Sequence, residues 1–134
     1  MKISSRLRYG LRLLLDLAIN YQKGPILLKD IARCEKISKK YLEQIVITLR
    51  NSGLIKATRG SKGGYYLTRS PKKIKLSEIY KILEGSFSPV DCLDAPQICS
   101  LKNICQTRKL WFDLSQSVKK TFGTLTLADL IKYE

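Results

Sequence analysis

A mainly α-helical chain carrying one small β-hairpin is what the 134-residue sequence predicts, on three observations. Apolar residues recur at helical spacing through most of the chain. Two short runs of β-formers flank a glycine-rich turn near the middle. Nothing approaches the ~18 consecutive apolar residues of a membrane-spanning helix. Hydrophobic residues make up 44% of the chain, enough for a packed core, and the length suits one domain with a short accessory region. The N-terminus is basic but has no signal-peptide core, because Leu13-Leu14-Leu15 is cut short by Asp16, so a soluble, cytoplasmic protein is expected.

Each element follows from its pattern. Leu7, Leu11, Leu14, Leu15 and Ala18 fall on one face of a helix from about Ser5 to Tyr21, which Lys23-Gly24-Pro25 ends. After the apolar link Ile26-Leu27-Leu28, a short second helix from Lys29 to about Glu35 buries Ile31 and Ala32. Ser38 offers an N-cap hydroxyl to a third helix, where Leu42, Ile45, Val46 and Leu49 form the inner stripe. Gly53 is free to take the left-handed conformation that closes it. Strands follow at about Leu54–Thr58 and Tyr65–Thr68 around Arg59-Gly60-Ser61-Lys62-Gly63-Gly64. A fourth helix is expected from Leu76 to Glu84, then a loop over Gly85–Lys102. A longer helix is expected from Asn103 to Thr121, with Leu110, Trp111, Leu114 and Val118 on one side and Gly123 as its break. Thr126 would cap a last turn around Leu127–Ile131. Helix, short helix, helix and two-stranded ribbon is the order of a winged helix-turn-helix.

Charge divides the chain in two. Residues 1–75 hold 18 Lys+Arg and 4 Asp+Glu, whereas residues 76–134 hold 7 of each, so the whole excess of +14 lies in the first segment. Mere solvation of surfaces would spread it more evenly. A one-sided cationic segment suits a polyanion, and nucleic acid is the commonest. An acidic membrane surface competes, but no basic amphipathic anchor stands apart from the core pattern. Residues 1–75 are therefore read as a DNA-binding domain.

Within it, the third helix would present Ser38, Lys39, Lys40, Tyr41, Glu43 and Gln44 to a major groove. Glu43 suits cytosine N4 and Gln44 suits adenine, although a helix face of this composition, taken alone, is better read as an ordinary solvated face. In the wing, Arg59 and Lys62 supply charge, and Gly60 with its neighbouring glycines lets backbone come close to phosphate. A nucleotide-binding reading of this turn fails, because the Walker spacing is absent and a strand follows it.

Histidine is absent, which removes Ser-His and Cys-His pairs, an imidazole base and any His-bearing zinc site. No enzyme is expected. Of the four cysteines, Cys92, Cys99 and Cys105 fall as C-x6-C-x5-C, with Cys34 far away. Clustered thiols in a reducing compartment hold a metal or react, and zinc is disfavoured without the C-x2-C knuckle. A metal or cluster, redox thiols and unrelated buried cysteines all stay open at this point.

Over essentially its whole length the chain resembles the Rrf-two family of bacterial winged-helix transcription factors, most closely the iron–sulfur cluster regulator (IscR) branch. The resemblance is carried by Arg8-Tyr9-Gly10, Ile37-Ser38, Tyr41-Leu42-Glu43-Gln44, Arg59-Gly60, Gly63-Gly64-Tyr65, the cysteine trio, Leu110-Trp111 and Asp113-Leu114. It implies a homodimeric regulator, a repressor or an activator, on an imperfect palindrome in promoter DNA, paired through the long C-terminal dimerisation helix of the 76–134 region. Ser38, Glu43 and Gln44 would read bases and Arg59 would be the wing contact. Cys92, Cys99 and Cys105 would hold an iron–sulfur cluster, 2Fe–2S in preference to 4Fe–4S, that reports iron, oxygen or nitric oxide status.

The sequence departs from that pattern at two places. The first cysteine gap is one residue longer than the branch's usual five. Arg108 stands where the cluster regulator has its histidine ligand, and Arg8 where nitric-oxide-sensing relatives have an aspartate; neither guanidinium ligates a metal. Either Cys34 across the dimer, Asp91, Asp94 or an exogenous thiol would then complete the site, or the trio holds no cluster at all. The rival readings are a thiol or persulfide sensor of the same fold, a small metalloenzyme and a non-sensing architectural DNA-binding protein.

Overall fold

The computed structural model describes residues 2–131. Helix α1 (Ser5–Ile19) starts where the Ser4 hydroxyl accepts from the Leu7 amide at 3.1 Å, and it ends two residues before the expected Tyr21. It sinks Leu7, Leu13, Leu14 and Leu17 into the core. Gly10 is buried too: the Leu83 side chain lies where a β-carbon would be. Helices α2 (Leu28–Glu35) and α3 (Lys39–Asn51) follow. Ser38 caps α3, accepting from the Tyr41 amide at 3.4 Å, and Leu42, Ile45, Val46 and Leu49 are buried as their spacing predicts.

Strands β1 (Ile55–Thr58) and β2 (Gly64–Leu67) pair antiparallel, with Ile55 opposite Leu67 and Thr58 opposite Gly64. The apolar link before α2 contributes a third rung: Ile26 and Tyr65 exchange backbone hydrogen bonds of 2.9 and 2.8 Å. The hairpin is thereby fixed along its return strand to the link that precedes α2. A 3-10 turn at Pro71–Lys73 leads to α4 (Leu76–Leu83), which packs on α1 and α3.

Beyond α4 the structure departs from the expected single loop. Asp91–Asp94 forms a one-turn helix, α5, and Pro96–Ile98 a 3-10 turn. Tyr80 stacks on Phe87 (4.2 Å, 11°) and meets Phe122 edge-on at 4.9 Å, which ties this segment to α4 and α6. The long helix α6 runs Arg108–Thr124, so it begins five residues after Asn103 and passes through Gly123 to end three residues after Thr121. A glycine in a last turn costs only about 1 kcal/mol, and the anchored Phe122 holds that turn in place. Leu110 and Leu114 are 59% and 37% exposed, so they line an outer face, while Trp111 and Val118 are half-buried. At the start of helix α7 (Leu127–Ile131) the expected Thr126 cap is reversed: the Asp129 carboxylate accepts from the Thr126 amide at 2.8 Å and from its hydroxyl at 3.1 Å. Leu127 then joins the core through a backbone bond to Ile74 O. One hydrophobic cluster thus runs from Leu7 to Leu127. Among the described residues no helix is long and apolar enough to cross a membrane.

The α1–α2 joint carries a titrating group. Burial, then the neighbouring Glu35, pushes the Asp16 carboxyl from 3.8 up to about 6, with Arg12 opposing. The folded chain therefore holds this proton more tightly than the unfolded one. Its stabilising contribution is complete below pH 3.8 and is lost as the pH rises through 6. Asp16→Asn is expected to leave Tm unchanged near pH 4. At pH 8 it should raise Tm by about 3 °C, on the order of 1 kcal/mol after discounting for solvent screening. Thermal melts at both pH values check this.

Candidate DNA interface and cysteine loop

The cap and the buried stripe together orient α3. With its inner side held by Leu42, Ile45, Val46 and Leu49, the helix turns Lys39, Lys40, Glu43 and Gln44 to solvent. Lys39 Nζ lies 4.0 Å from Glu43 Oε1, a solvated pair that exchanges easily for a base or phosphate. Two expected face residues are placed differently. Ser38 is exposed, but its hydroxyl is engaged by the cap. Tyr41 is half-buried on the flank, its ring edge-on to Tyr9 at 5.6 Å. The helical spacing itself puts Tyr41 between the buried stripe and the outer line through Lys40 and Gln44.

Arg59, Gly60, Ser61 and Lys62 are all exposed at the wing tip. Gly60 has φ +104° and open space around it. Gly63 and Gly64 answer to internal demands. A β-carbon on Gly63 would meet Thr58 O at 2.5 Å, and one on Gly64 would run into the Ile26 carbonyl and lie 2.9 Å from Leu27 N. Their close approach is to this chain's own backbone. A groove lined by Lys29, Lys39, Glu43, Thr58 and Tyr65 separates α3 from the wing. Lys29 was not legible as a groove residue, because only the Ile26–Tyr65 bridge brings α2's first turn beside the ribbon. Arg6 of α1 also reaches α3, donating to Thr48 Oγ1 at 2.6 Å.

The second site is the cysteine loop. Cys92 sits in α5 and Cys99 after the 3-10 turn, both half-buried; Cys105 is exposed just before α6, and Cys34 is exposed on α2. The Thr107 hydroxyl lies 3.3 Å from Cys105 Sγ. That hydroxyl first, then the Thr107 amide and Arg108, lowers the Cys105 thiol below its ordinary range. Arg108 donates to Cys92 O at 3.0 Å, so the residue at the expected ligand position acts as a strap between α6 and α5. Ser86 and Ser88 hydrogen-bond Asp94 and hold its carboxyl low, Ser88 Oγ at 2.8 Å. A cleft of about 680 Å³ opens here, lined by Phe87, Leu93, Asp94, Cys105, Arg108 and Lys119 among others.

Three soft thiols have the chemistry an iron–sulfur cluster needs. Their arrangement does not fit one as it stands. Among the described residues no three Cys, Asp or Glu side chains are gathered so as to hold a metal ion.

A family profile described as Rrf2, iron-dependent transcriptional regulator, matches residues 3–133. The HTH-type transcriptional regulator CymR of Bacillus subtilis is 41% identical over 133 residues, 99% of this chain and 91% of that one. The solved structure of CymR (YrzC), the global cysteine regulator of B. subtilis, has a TM-score of 0.84 at 40% identity, covering 100% of this chain and 98% of that one. T. potens IscR has a TM-score of 0.82 at 34% identity, covering 98% and 87%. The mainly helical, single-hairpin architecture is therefore shared with winged-helix regulators, and these relatives regulate transcription and are not enzymes. With a profile spanning nearly the whole chain and the same fold at this identity, the chain belongs to the Rrf2 family of transcriptional regulators.

Proposed function

We propose that this chain is a cytoplasmic bacterial homodimer that binds an imperfect palindrome in promoter DNA and releases or reshapes that contact when the cysteine loop changes state. The head, residues 1–75, reads DNA with Lys39, Lys40, Glu43 and Gln44 of α3, with Ser38 and Tyr41 at its edges. Arg59, Gly60 and Lys62 at the wing tip meet phosphate or the minor groove. The region 76–134 senses and pairs. The observation that carries this reading is the location of the charge: the full +14 excess lies in residues 1–75, which contain α3 and the wing. The exposed Leu110 and Leu114 of α6, one turn apart on the same side of the helix, supply an apolar strip for a second copy.

On the first reading the signal is an iron–sulfur cluster, 2Fe–2S rather than 4Fe–4S, which Cys92, Cys99 and Cys105, with Cys34 as a candidate fourth ligand, would hold only if the loop rearranged to bring their sulfurs together. Bound there, a cluster would supply iron–thiolate bonds that are lost on oxidation or loss of iron. A second reading has its own support. The sulfurs are not gathered, the Cys105 thiol is exposed and acidified, and a relative is named a global cysteine regulator. On that reading the thiols oxidise reversibly without a cluster.

Anaerobic purification and reconstitution, with iron and sulfide analysis, separates the two. The cluster reading expects visible absorption that Cys92→Ala removes, and promoter binding that differs with and without the cofactor. Colourless protein that stays iron-free, with binding altered by mild oxidants, selects the thiol reading. Whether Cys34→Ala also bleaches the protein decides the fourth ligand.

A further inference from the structure

Among the exposed residues of α3, one offers no hydrogen bond and no charge. Ile47 is 59% exposed, near the middle of a helix whose other outward side chains are polar. Its position is the outermost one. Lys40, Gln44, Ile47 and Asn51 recur at i, i+4, i+7 and i+11, the line opposite the buried Leu42, Ile45, Val46 and Leu49. Next to it, Thr48 is held from the side by Arg6, so Ile47 is not part of that lateral contact. A β-branched side chain gains little for an exposed helix position, where straight-chain residues are preferred. On this crest, however, it is aimed where a base edge would lie.

We propose that Ile47 is a specificity-determining residue that reads the C5-methyl group of a thymine in the major groove; this rests on the DNA reading above. In that groove the thymine methyl is the one apolar feature of a base edge. The sec-butyl side chain of Ile47, about one turn beyond Gln44, completes a set of complementary readers. Glu43 accepts, Gln44 both donates and accepts, and Ile47 excludes water from a methyl. Its position on the helix sets the order of contacts: the thymine lies about one helical turn, near 5.4 Å, further along α3 than the base met by Glu43 or Gln44. The same spacing recurs in the second half-site by dimer symmetry.

The test uses a duplex enriched by this protein from a randomised pool. Each thymine in turn is replaced by deoxyuridine, which deletes the methyl and leaves the pairing edge intact. Wild type is expected to lose about fourfold in affinity at one thymine of each half-site, the effect of about one buried CH2 group. Ile47→Ala should bind the parent duplex more weakly and be indifferent to deoxyuridine at that same position. Ile47→Gln, a good helix former, should lose the same methyl dependence, and both variants should keep the wild-type melting temperature because the residue is exposed. If wild type tolerates deoxyuridine everywhere, or Ile47→Ala keeps the full penalty, the contact is wrong while the DNA reading stands. If no duplex is enriched over bulk competitor, the DNA reading fails and takes the contact with it.

Discussion

Raising the salt from 50 to 200 mM is expected to weaken promoter binding by roughly 10⁴-fold, about 10³-fold at the least. The size follows from where the cations are. Lys39, Lys40, Arg59 and Lys62 are exposed on α3 and the wing tip, and Lys29 lines the groove between them. If about four of these neutralise phosphates in each protomer, a dimer releases about eight counterions. The log–log slope is then near −7. Glu43 works in the opposite direction: a carboxylate among phosphates repels them, and a base donor must compensate for it. Fluorescence anisotropy on one promoter duplex across a salt series gives the slope directly. Arg59→Ala should make it shallower by about 2 for the dimer, uniformly across sequences. Glu43→Ala should leave the slope almost unchanged and alter which base is preferred. A slope near −2 would mean that the +14 charge of residues 1–75 does not face DNA, and a steep slope untouched by Arg59→Ala would mean that the wing's Arg59 meets no phosphate.

The head was legible because its signals are local. Ser38 is followed by an inner stripe at helical spacing, and both the cap and the burial came out as the spacing implies. Two β-forming runs around a glycine turn can do little except pair, and they do. The carboxyl-terminal part was harder to read for physical reasons. The apolar pattern before α6 continues back to Ile104, yet residues 103–107 are not helical: Asn103 and Ile104 lie in a turn, with the Ile104 amide bonded to Leu101 O. The helix starts only at Arg108, whose guanidinium is strapped to the α5 backbone. Periodicity also says that Leu110 and Leu114 share a side without saying what covers it. In the single chain nothing does.

The same distinction applies to glycines and cysteines. Gly10 in mid-helix looks like a defect until Leu83 of α4, more than seventy residues on, is seen to occupy its side-chain space. Spacing groups Cys92, Cys99 and Cys105 along the chain. Whether three sulfurs converge depends on α5, a 3-10 turn and the Arg108 strap, none of which has a sequence signal as clear as a cap or a stripe.

The two wing glycines Gly60 and Gly64 turn this contrast into a measurement. Both hold positive φ, +104° and +138°, where a side chain costs about 1–2 kcal/mol. They differ in surroundings. Gly60 has nothing within 4 Å of an added β-carbon, so Gly60→Ala should lower Tm by only about 5 °C. At Gly64 the added carbon runs into the Ile26 carbonyl and sits 2.9 Å from Leu27 N, backbone atoms that cannot rotate away. To relieve the clash the chain must give up the Ile26–Tyr65 rung, two backbone hydrogen bonds, in addition to the strain. Gly64→Ala should therefore cost about 4 kcal/mol and lower Tm by roughly 15 °C. It should also weaken DNA binding although every cation on the wing is retained, because a wing freed from the head no longer holds Arg59 and Lys62 in register with α3. Melting curves and anisotropy on both variants read the two effects. Equal falls in Tm would mean that positive φ is the whole demand on these glycines. A Gly64→Ala protein that melts early but binds DNA normally would show that the wing's anchorage to Ile26 serves stability alone.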